Sequence, residues 1–280
     1  MYQDYTQASA NPPKQSRLNI AILTTMWRRQ VLTEFTFKWF AEVQKTLLKH
    51  DIGLYLFAVG SEGEYSRTLA LENNYNYMER VNFPVSLKRN QALEKIRDWD
   101  IDCVLFVDTD DLLPVEQILL YVRFLEQGYP YIGIRDIYFF EGASKKMIHF
   151  FYPQGHSNFG TTLGLGRCVS RELLDKVNWR LWSDDLNRNM DINMTKTISS
   201  HLSGFSKGEK KVFCKDFNLV PVDIKTKTNI WSFDKYTNRL GSHYDIADPK
   251  KVLNKAYGKR VADNLYTLNL DTQLLPKWNG

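Results

Sequence analysis

Three carboxylates within four positions carry the clearest chemical signal in the sequence: Asp108, Asp110 and Asp111, directly after the apolar run at 103–107. Carboxylates this close repel one another unless a cation offsets their charge, and hard divalent cations prefer oxygen ligands and phosphate co-ligands. In an extended backbone Asp108 and Asp110 share a face, because side chains alternate along a strand. The cluster therefore predicts a Mn²⁺ or Mg²⁺ site for a diphosphate. The alternative is a solvated turn with Asp110 or Asp111 as a helix cap.

The elements that position this cluster alternate between strand and helix. Residues 103–107 predict a strand buried on both faces, as in parallel sheets whose ligands bind beyond the carboxyl ends of the strands. Residues 19–23 and 54–59 predict two more buried strands, and apolar residues at helical spacing predict a helix at 32–48 between them. A strand, a helix and a strand in this order form a right-handed unit with parallel strands. A second predicted helix, at 86–97, leads to the acidic strand.

We expect one α/β domain at 18–200, with a Rossmann-like mixed sheet flanked by helices. A polar, flexible lead-in at 1–17 precedes it, and a less regular extension at 201–280 packs on the same domain. The sequence contains neither GxxxxGK[ST] nor a GxGxxG after the first strand, so phosphates in this domain would need a metal ion instead. This absence strengthens the case for Asp108 and Asp110 as metal ligands.

The composition indicates a soluble globular protein of 280 residues, 43% hydrophobic and 25% charged. There is no secretory signal and no apolar run of about 18 residues, so we expect no membrane segment. Cys103, Cys168 and Cys214 show neither metal-ligand spacing nor a disulfide framework, which favours a reducing cytoplasm. The net charge of +5 is concentrated at 201–280, which holds 14 Lys and Arg against 8 Asp and Glu.

Four motifs around the acidic strand occur in the order and spacing of a known family. They are Thr24-Thr25 with Trp27-Arg28-Arg29, then Gly60-Ser61-Glu62, then Lys88-Arg89-Asn90 within 84–93, then Gly164-Leu165-Gly166 with Ser170-Arg171 and Asp191. Over residues 18–200 the chain resembles the nucleotide-sugar glycosyltransferases of the GT-A fold that carry a DxD motif, and its layout is most similar to family 2. It departs from the family at Glu62, where Asp is commoner. It also offers Asp184-Asp185 and Asp191 where a Glu-Asp pair is usual.

The resemblance implies roles in catalysis and metal binding. Asp110, with Asp108, would bind the metal ion and the diphosphate of the donor. His243 would complete the metal shell, the alternative being an ordinary loop histidine. Asp191 would be the general base that deprotonates the acceptor hydroxyl, with Asp185 as the alternative base. The competing interpretation of Asp191 is a cap for the helix that follows it.

The same resemblance implies contacts with the rest of the nucleoside-diphosphate sugar. Thr25 and Glu62 would contact the nucleoside. Arg89 and Lys88 would reach the diphosphate or the acceptor, since arginine offers a bidentate fork and lysine a point charge. The alternative for both is exposed charge on a helix. The sequence leaves inversion and retention of the sugar configuration both open, and it does not indicate an oligomeric state.

The basic extension bears on the acceptor. Aromatic and cationic residues are mixed there as on nucleic-acid surfaces: Trp231, Phe233, Tyr236 and Tyr244 among Lys225, Lys227, Lys235 and Arg239. We favour a hydroxymethylated pyrimidine in DNA as the acceptor, as in phage-type DNA-modifying glycosyltransferases that work in the host cytoplasm. The alternatives are a saccharide acceptor, a nucleotidyltransferase, and a non-catalytic nucleic-acid-binding protein whose acidic cluster is only a cap.

Overall fold

The computed structural model describes residues 4–5, 16–227, 229, 232–238 and 242–268. The lead-in predicted at 1–17 lies almost wholly outside the described residues, as do Trp231 and Arg239. The described helices, in chain order, are α1 (Gln30–Leu48), α2 (Glu64–Glu72), α3 (Val85–Ile96), α4 (Val115–Glu126), α5 (Arg171–Lys176), α6 (Met190–Ser199), α7 (Phe233–Asn238), α8 (Pro249–Tyr257) and α9 (Lys259–Thr267). In this part of the chain no helix is long and apolar enough to cross a membrane.

The strands of the described residues form two sheets. In chain order they are β1 (Asp4–Tyr5), β2 (Leu18–Thr25), β3 (Ile52–Gly60), β4 (Asn76–Glu79), β5 (Cys103–Phe106), β6 (Asp111–Leu112), β7 (Tyr131–Ile134), β8 (Asp136–Glu141), β9 (Met147–Phe151), β10 (Cys168–Ser170), β11 (Glu209–Val212), β12 (Val222–Lys225) and β13 (Ser242–Asp245).

The larger sheet has eight strands in the order β1-β4-β3-β2-β5-β10-β7-β11. Its central strands β4, β3, β2 and β5 are parallel, as the strand and helix order predicts, whereas β10 runs antiparallel between β5 and β7. The carboxyl ends of the four parallel strands therefore meet at one edge, called the carboxyl edge below. The segments after β2, β3 and β4 and the acidic residues after β5 all lie there.

Both faces of the larger sheet are covered. Along β2, Ile20 and Ile22 belong to one cluster of buried side chains, and Ala21 and Leu23 belong to another on the opposite face. This explains why the strand is a continuous apolar run rather than an alternating one. The sequence prediction of doubly buried strands is confirmed.

The smaller sheet has five strands in the order β13-β9-β8-β12-β6. A single residue, Arg135, separates β7 of the larger sheet from β8 of the smaller one. The extension at 201–280 contributes β11 to the larger sheet, next to β7, and contributes β12 and β13 to the smaller sheet. Strand β12 lies beside β6, so that Asp223 stands opposite Asp111. The C-terminal part of the chain therefore reaches the acidic residues directly.

Candidate functional site at the carboxyl edge

The acidic residues form a turn rather than the extended segment that their spacing suggested. The backbone N–H of Asp108 donates to the Asp111 carboxylate at 2.9 Å, and the N–H of Asp111 donates back to the Asp108 carbonyl at 3.1 Å. Helix α4 begins at Val115 after Pro114, without a side-chain cap. The expectation that Asp110 or Asp111 caps a helix is therefore wrong, because Asp111 closes the turn instead. We call residues 108–111 the acidic turn.

Arg89 joins the acidic turn to the end of β2. Its Nη2 atom lies 2.6 Å from both carboxylate oxygens of Asp108, and its Nε atom donates to the Thr25 hydroxyl at 3.1 Å. The Arg89 side chain is only 17% exposed, so it is not the exposed helix charge of the alternative interpretation. Burial lowers the pKa of Arg89, but the carboxylates of Asp108, Asp191 and Asp111 together outweigh burial and raise it. Arg89 is therefore a charged group at this edge.

Arg29 holds the second carboxylate of the turn. Its Nη1 atom lies 2.8 Å from Oδ1 of Asp110, while the amide of Asn229 donates to Oδ2 at 2.7 Å. Arg28 and Arg29 both have left-handed backbones, with φ of 58° and 67°, just before α1 begins. Two consecutive non-glycine residues in this region are uncommon, and such strain concentrates at functional sites. The sequence motif contained Arg29, but no pattern linked it to Asp110.

Asp223 is a fourth carboxylate at the site, and sequence reasoning missed it. Its Oδ2 atom lies 2.6 Å from Nζ of Lys225, while Oδ1 is buried without a hydrogen-bond partner among the described residues. Burial, together with the charge of Asp110, raises the pKa of Asp223 to about 6 against the opposing effect of Lys225. Burial also raises the pKa of Asp111 strongly, with Asp110 and Asp223 adding to it. The sequence did contain a signal for this strand, because Asp223 and Lys225 alternate with the apolar residues Val222 and Ile224.

Asp191 lies in the first turn of α6. Asn189 occupies the N-cap position, so the interpretation of Asp191 as the cap is wrong. Arg167 donates to the Asp191 carbonyl at 3.0 Å and lies 3.7 Å from its carboxylate. The Asp191 side chain is 66% exposed, and its charge contributes to the raised pKa of Arg89. The Asp191 carboxylate is therefore accessible and within electrostatic reach of Arg89.

The alternative base and its neighbour lie in the loop before α6. Asp184 accepts hydrogen bonds from Asn90 at 2.8 Å and from Arg180 at 2.7 Å, and these lower its pKa, with the bond from Asn90 first in importance. Asp185 is exposed. Asp184 is thus engaged in fixing the loop to α3, while Asp185 faces solvent.

Glu62 and Lys88 hold neighbouring loops in place. The Glu62 carboxylate accepts from the backbone N–H of Arg28 at 2.9 Å and from the Ser66 hydroxyl at 3.4 Å. Lys88 is 1% exposed. The expectation that Lys88 reaches a diphosphate or acceptor is therefore wrong, because its amine is enclosed by protein.

His243 is not brought together with the acidic turn. It lies in β13, opposite Phe150 of β9, at one edge of the smaller sheet. Strand β6, with Asp111, forms the opposite edge, and β9, β8 and β12 lie between them. At about 4.8 Å per strand this separation is on the order of 19 Å. A metal shell shared by His243 and the acidic turn does not fit this topology.

The carboxylates of the acidic turn already have protein partners. Both oxygens of Asp108 accept from Arg89, and those of Asp110 accept from Arg29 and Asn229. Within the described ranges no group of three or more His, Cys, Asp or Glu side chains could hold a metal ion. As arranged, these residues do not fit the divalent cation that the sequence predicts.

The parallel centre of the larger sheet, the acidic turn at its carboxyl edge and the second sheet that packs beside it define a GT-A-like fold. The first 349 residues of S. aureus TarS in complex with UDP-GlcNAc align with this chain at a TM-score of 0.51 and 14% identity, covering 89% of this chain and 70% of that one. The 4-diphosphocytidyl-2C-methyl-D-erythritol synthase of Anaerococcus prevotii aligns at 0.47 and 11% identity, over 71% and 87%. No family model and no curated protein matches the chain. The likeness is therefore one of fold.

Proposed function

We propose that the chain is a glycosyltransferase that moves a sugar from a nucleoside-diphosphate sugar, here taken as a UDP-sugar, to a hydroxyl acceptor. The observation that carries this proposal is the pair of arginines, Arg29 and Arg89, that the acidic turn holds at the carboxyl edge. Guanidinium groups bind phosphate oxygens through paired, charge-assisted hydrogen bonds. The fold supports the proposal too, since TarS was solved with UDP-GlcNAc bound.

In this proposal each side chain has one task. Arg29 and Arg89 bind the diphosphate, while Thr25 and Glu62, at the ends of β2 and β3, lie on the nucleoside side. Asp191 accepts the proton of the acceptor hydroxyl as the acceptor oxygen bonds to the anomeric carbon. The bond from that carbon to the diphosphate oxygen breaks, and its electron pair leaves with the nucleoside diphosphate.

Asp191 is the first candidate for the base because it is accessible and lies within electrostatic reach of Arg89. Asp185 stays the alternative base, from the exposed loop before α6. A base opposite the leaving group gives inversion, whereas retention requires attack from the side of the leaving group or two successive displacements. The configuration of the product therefore tests the role of Asp191 separately from the class of enzyme.

The finer proposal for the acceptor is a hydroxymethylated pyrimidine in DNA, and the basic extension supports it. The surface differs from the one expected, because Phe233 and Lys225 are buried. Tyr244 is 57% exposed, with the Lys215 ammonium 5.6 Å from its ring centre. Cations beside exposed aromatic rings suit a nucleic-acid strand. A saccharide acceptor remains the alternative.

The test is the release of nucleoside diphosphate from a panel of nucleotide sugars, with hydroxymethylated duplex DNA present or absent. We expect release with a UDP-sugar, stimulation by the modified DNA, and weaker DNA binding as salt rises. Release unaffected by DNA directs the search to saccharides. Pyrophosphate release instead indicates a nucleotidyltransferase, and DNA binding without nucleotide turnover indicates a non-catalytic protein.

Two controls sharpen this assay. The Arg89→Gln variant removes the fork on Asp108, so release should fall, whereas Glu126→Gln alters only an exposed ion pair with Arg17 and should leave release unchanged. Parallel reactions with Mn²⁺ and with EDTA test whether release depends on a metal ion. The sequence predicts this dependence, whereas the ion pairs of the acidic turn do not favour it. No release with any donor contradicts the proposed function.

A further inference from the structure

Lys88 is a buried lysine of the motif at 84–93 to which the proposed reaction gives no task. It lies in the first turns of α3 and is 1% exposed. Its amine donates to the Met26 carbonyl at 2.7 Å, to the Ser61 hydroxyl at 2.5 Å and to the Asn82 side-chain carbonyl at 3.3 Å. A buried amine with three oxygen acceptors is a specific arrangement, because an ammonium has three hydrogens to donate.

The three acceptors of Lys88 belong to three different loops. Met26 follows β2, Ser61 follows β3, and Asn82 lies between β4 and α3. Strands β4, β3 and β2 are neighbours in the larger sheet, so Lys88 ties together three adjacent loops of the carboxyl edge. Next to these contacts lie Arg29, which holds Asp110, and Glu62.

The number of hydrogens on the amine sets how many of these loops it can hold. The neutral amine has two hydrogens and a lone pair, so on deprotonation one acceptor loses its donor and faces the lone pair. Burial lowers the pKa of Lys88 to about 7. Of the charged groups around it, Glu79, Glu62 and Asp108 favour the protonated form and Arg89 opposes it.

We propose that Lys88 is a positioning residue that holds the three loops of the nucleotide side of the site in place only while its amine is protonated. The assignment of these loops to the nucleotide rests on the proposed function above. The consequence is that donor affinity decreases as the pH rises through neutrality. Lys88 acts through the loops and does not touch the donor.

The experiment is calorimetric titration with UDP-GlcNAc at about pH 6 and about pH 8.5, on either side of the Lys88 transition. This probe suits the test because each of its two phosphates carries one ester bond and the shared anhydride bond, so that neither changes charge over this range. We expect the affinity of the wild type to fall roughly tenfold at the higher pH, the effect of losing one hydrogen bond to a charged group. Lys88→Met should bind weakly at both pH values. Lys49→Met is the control: it replaces the exposed lysine at the C-cap of α1 and should behave as wild type.

Ser61→Ala gives a second test in case Lys88→Met does not fold. It leaves two acceptors, Met26 and Asn82, which match the two hydrogens of the neutral amine. Its donor affinity should therefore depend on pH less than that of the wild type. A wild-type affinity that does not change with pH overturns the proposal, as does a pH dependence that survives in both variants.

Hydrogen exchange separates this proposal from the proposed function. If neither UDP-GlcNAc nor any other nucleotide sugar of the panel binds at either pH, the proposed function fails. Exchange of the backbone amides at 26–29, 61–63 and 80–83 then still tests whether Lys88 holds the three loops. Expressed as protection factors, which remove the base catalysis common to all amides, these loops should be less protected relative to β2 above neutrality in the wild type. In Ser61→Ala their protection factors should not change with pH. Equal protection at both pH values in the wild type overturns the role of Lys88.

Discussion

The substitution Asp110→Asn distinguishes an ion-paired site from a vacant metal site by the sign of its effect on stability. In the structure Asp110 is the counter-charge of Arg29, and the two side chains are 10% and 17% exposed. Removing the carboxylate leaves a largely buried guanidinium without its partner. A carboxylate cluster that lacks its cation behaves in the opposite way, since removing one negative charge relieves the repulsion.

The magnitude follows from the burial of this pair. Breaking a fully buried pair costs about 3–5 kcal/mol, and breaking an exposed one costs about 0–1 kcal/mol. With 10% and 17% exposure the pair lies near the buried limit. Because the charges of Asp108, Asp223 and Asp111 still act on Arg29, the loss of its contact with Asp110 should cost less than that limit, about 2 kcal/mol. The carboxyls of Asp111 and Asp223, whose pKa values Asp110 raises, gain from its removal and offset part of this cost. We therefore expect Asp110→Asn to lower the free energy of unfolding by about 1–2 kcal/mol.

The assay is urea unfolding at neutral pH in EDTA, for the wild type, Asp110→Asn, Arg29→Gln and the double variant. The cycle should give a coupling energy of about 1.5 kcal/mol between the two residues. Glu126→Gln, in the exposed pair with Arg17, is the control and should change stability by less than about 0.5 kcal/mol. An Asp110→Asn variant at least as stable as the wild type would refute the reasoning, and so would a coupling energy near zero.

Three further predictions concern individual carboxylates. The pKa of Asp223 is raised from 3.8 to about 6, so its contribution to stability is full below about pH 4 and is lost as the pH rises through 6. Urea unfolding at a series of pH values should show this loss in the wild type, and Asp223→Asn should flatten that part of the profile. A Cβ at Gly164 would lie 2.8 Å from the Asp191 carboxylate, so Gly164→Ala should displace that exposed side chain, leaving the melting temperature nearly unchanged while turnover falls. Asp191→Asn should reduce turnover by roughly 10²–10⁴-fold, which is the usual effect of removing a general base. Asp185→Asn should reduce turnover by less than about fivefold. A larger loss of product in Asp185→Asn than in Asp191→Asn would assign the base to Asp185.

The buried strands and the long helices could be predicted because their patterns are local. Strand β2 is a continuous apolar run, and α1 repeats its apolar residues at helical spacing. Segments such as Asn76–Glu79 and Glu209–Val212 carry no such pattern. They are strands because β3 and β7 offer them hydrogen-bonding edges, and only the folded sheet creates those edges.

The site was predicted in part for the same reason. The acidic turn follows a strand whose burial is visible in the sequence, and Arg89 lies one helix earlier on the same edge. The roles of Lys88 and Asp111 were misjudged, because a charged residue on a helix or in a turn gives no sign of whether it faces solvent. His243 was assigned to a metal shell, although the strand order places it across the smaller sheet from Asp111.

Local sequence patterns were enough to locate the buried strands, the parallel βαβ order and the carboxylates at the end of a buried strand, since these depend on residues close together in the chain. The tertiary structure alone decided which groups surround that turn. Arg29, Asp223 and Asn229 reach it from other segments, Asn229 from 119 positions away, through the register of β12 and the left-handed backbone before α1. Hydrophobic periodicity reports local burial, whereas the partner of a charge depends on which distant elements pack against it.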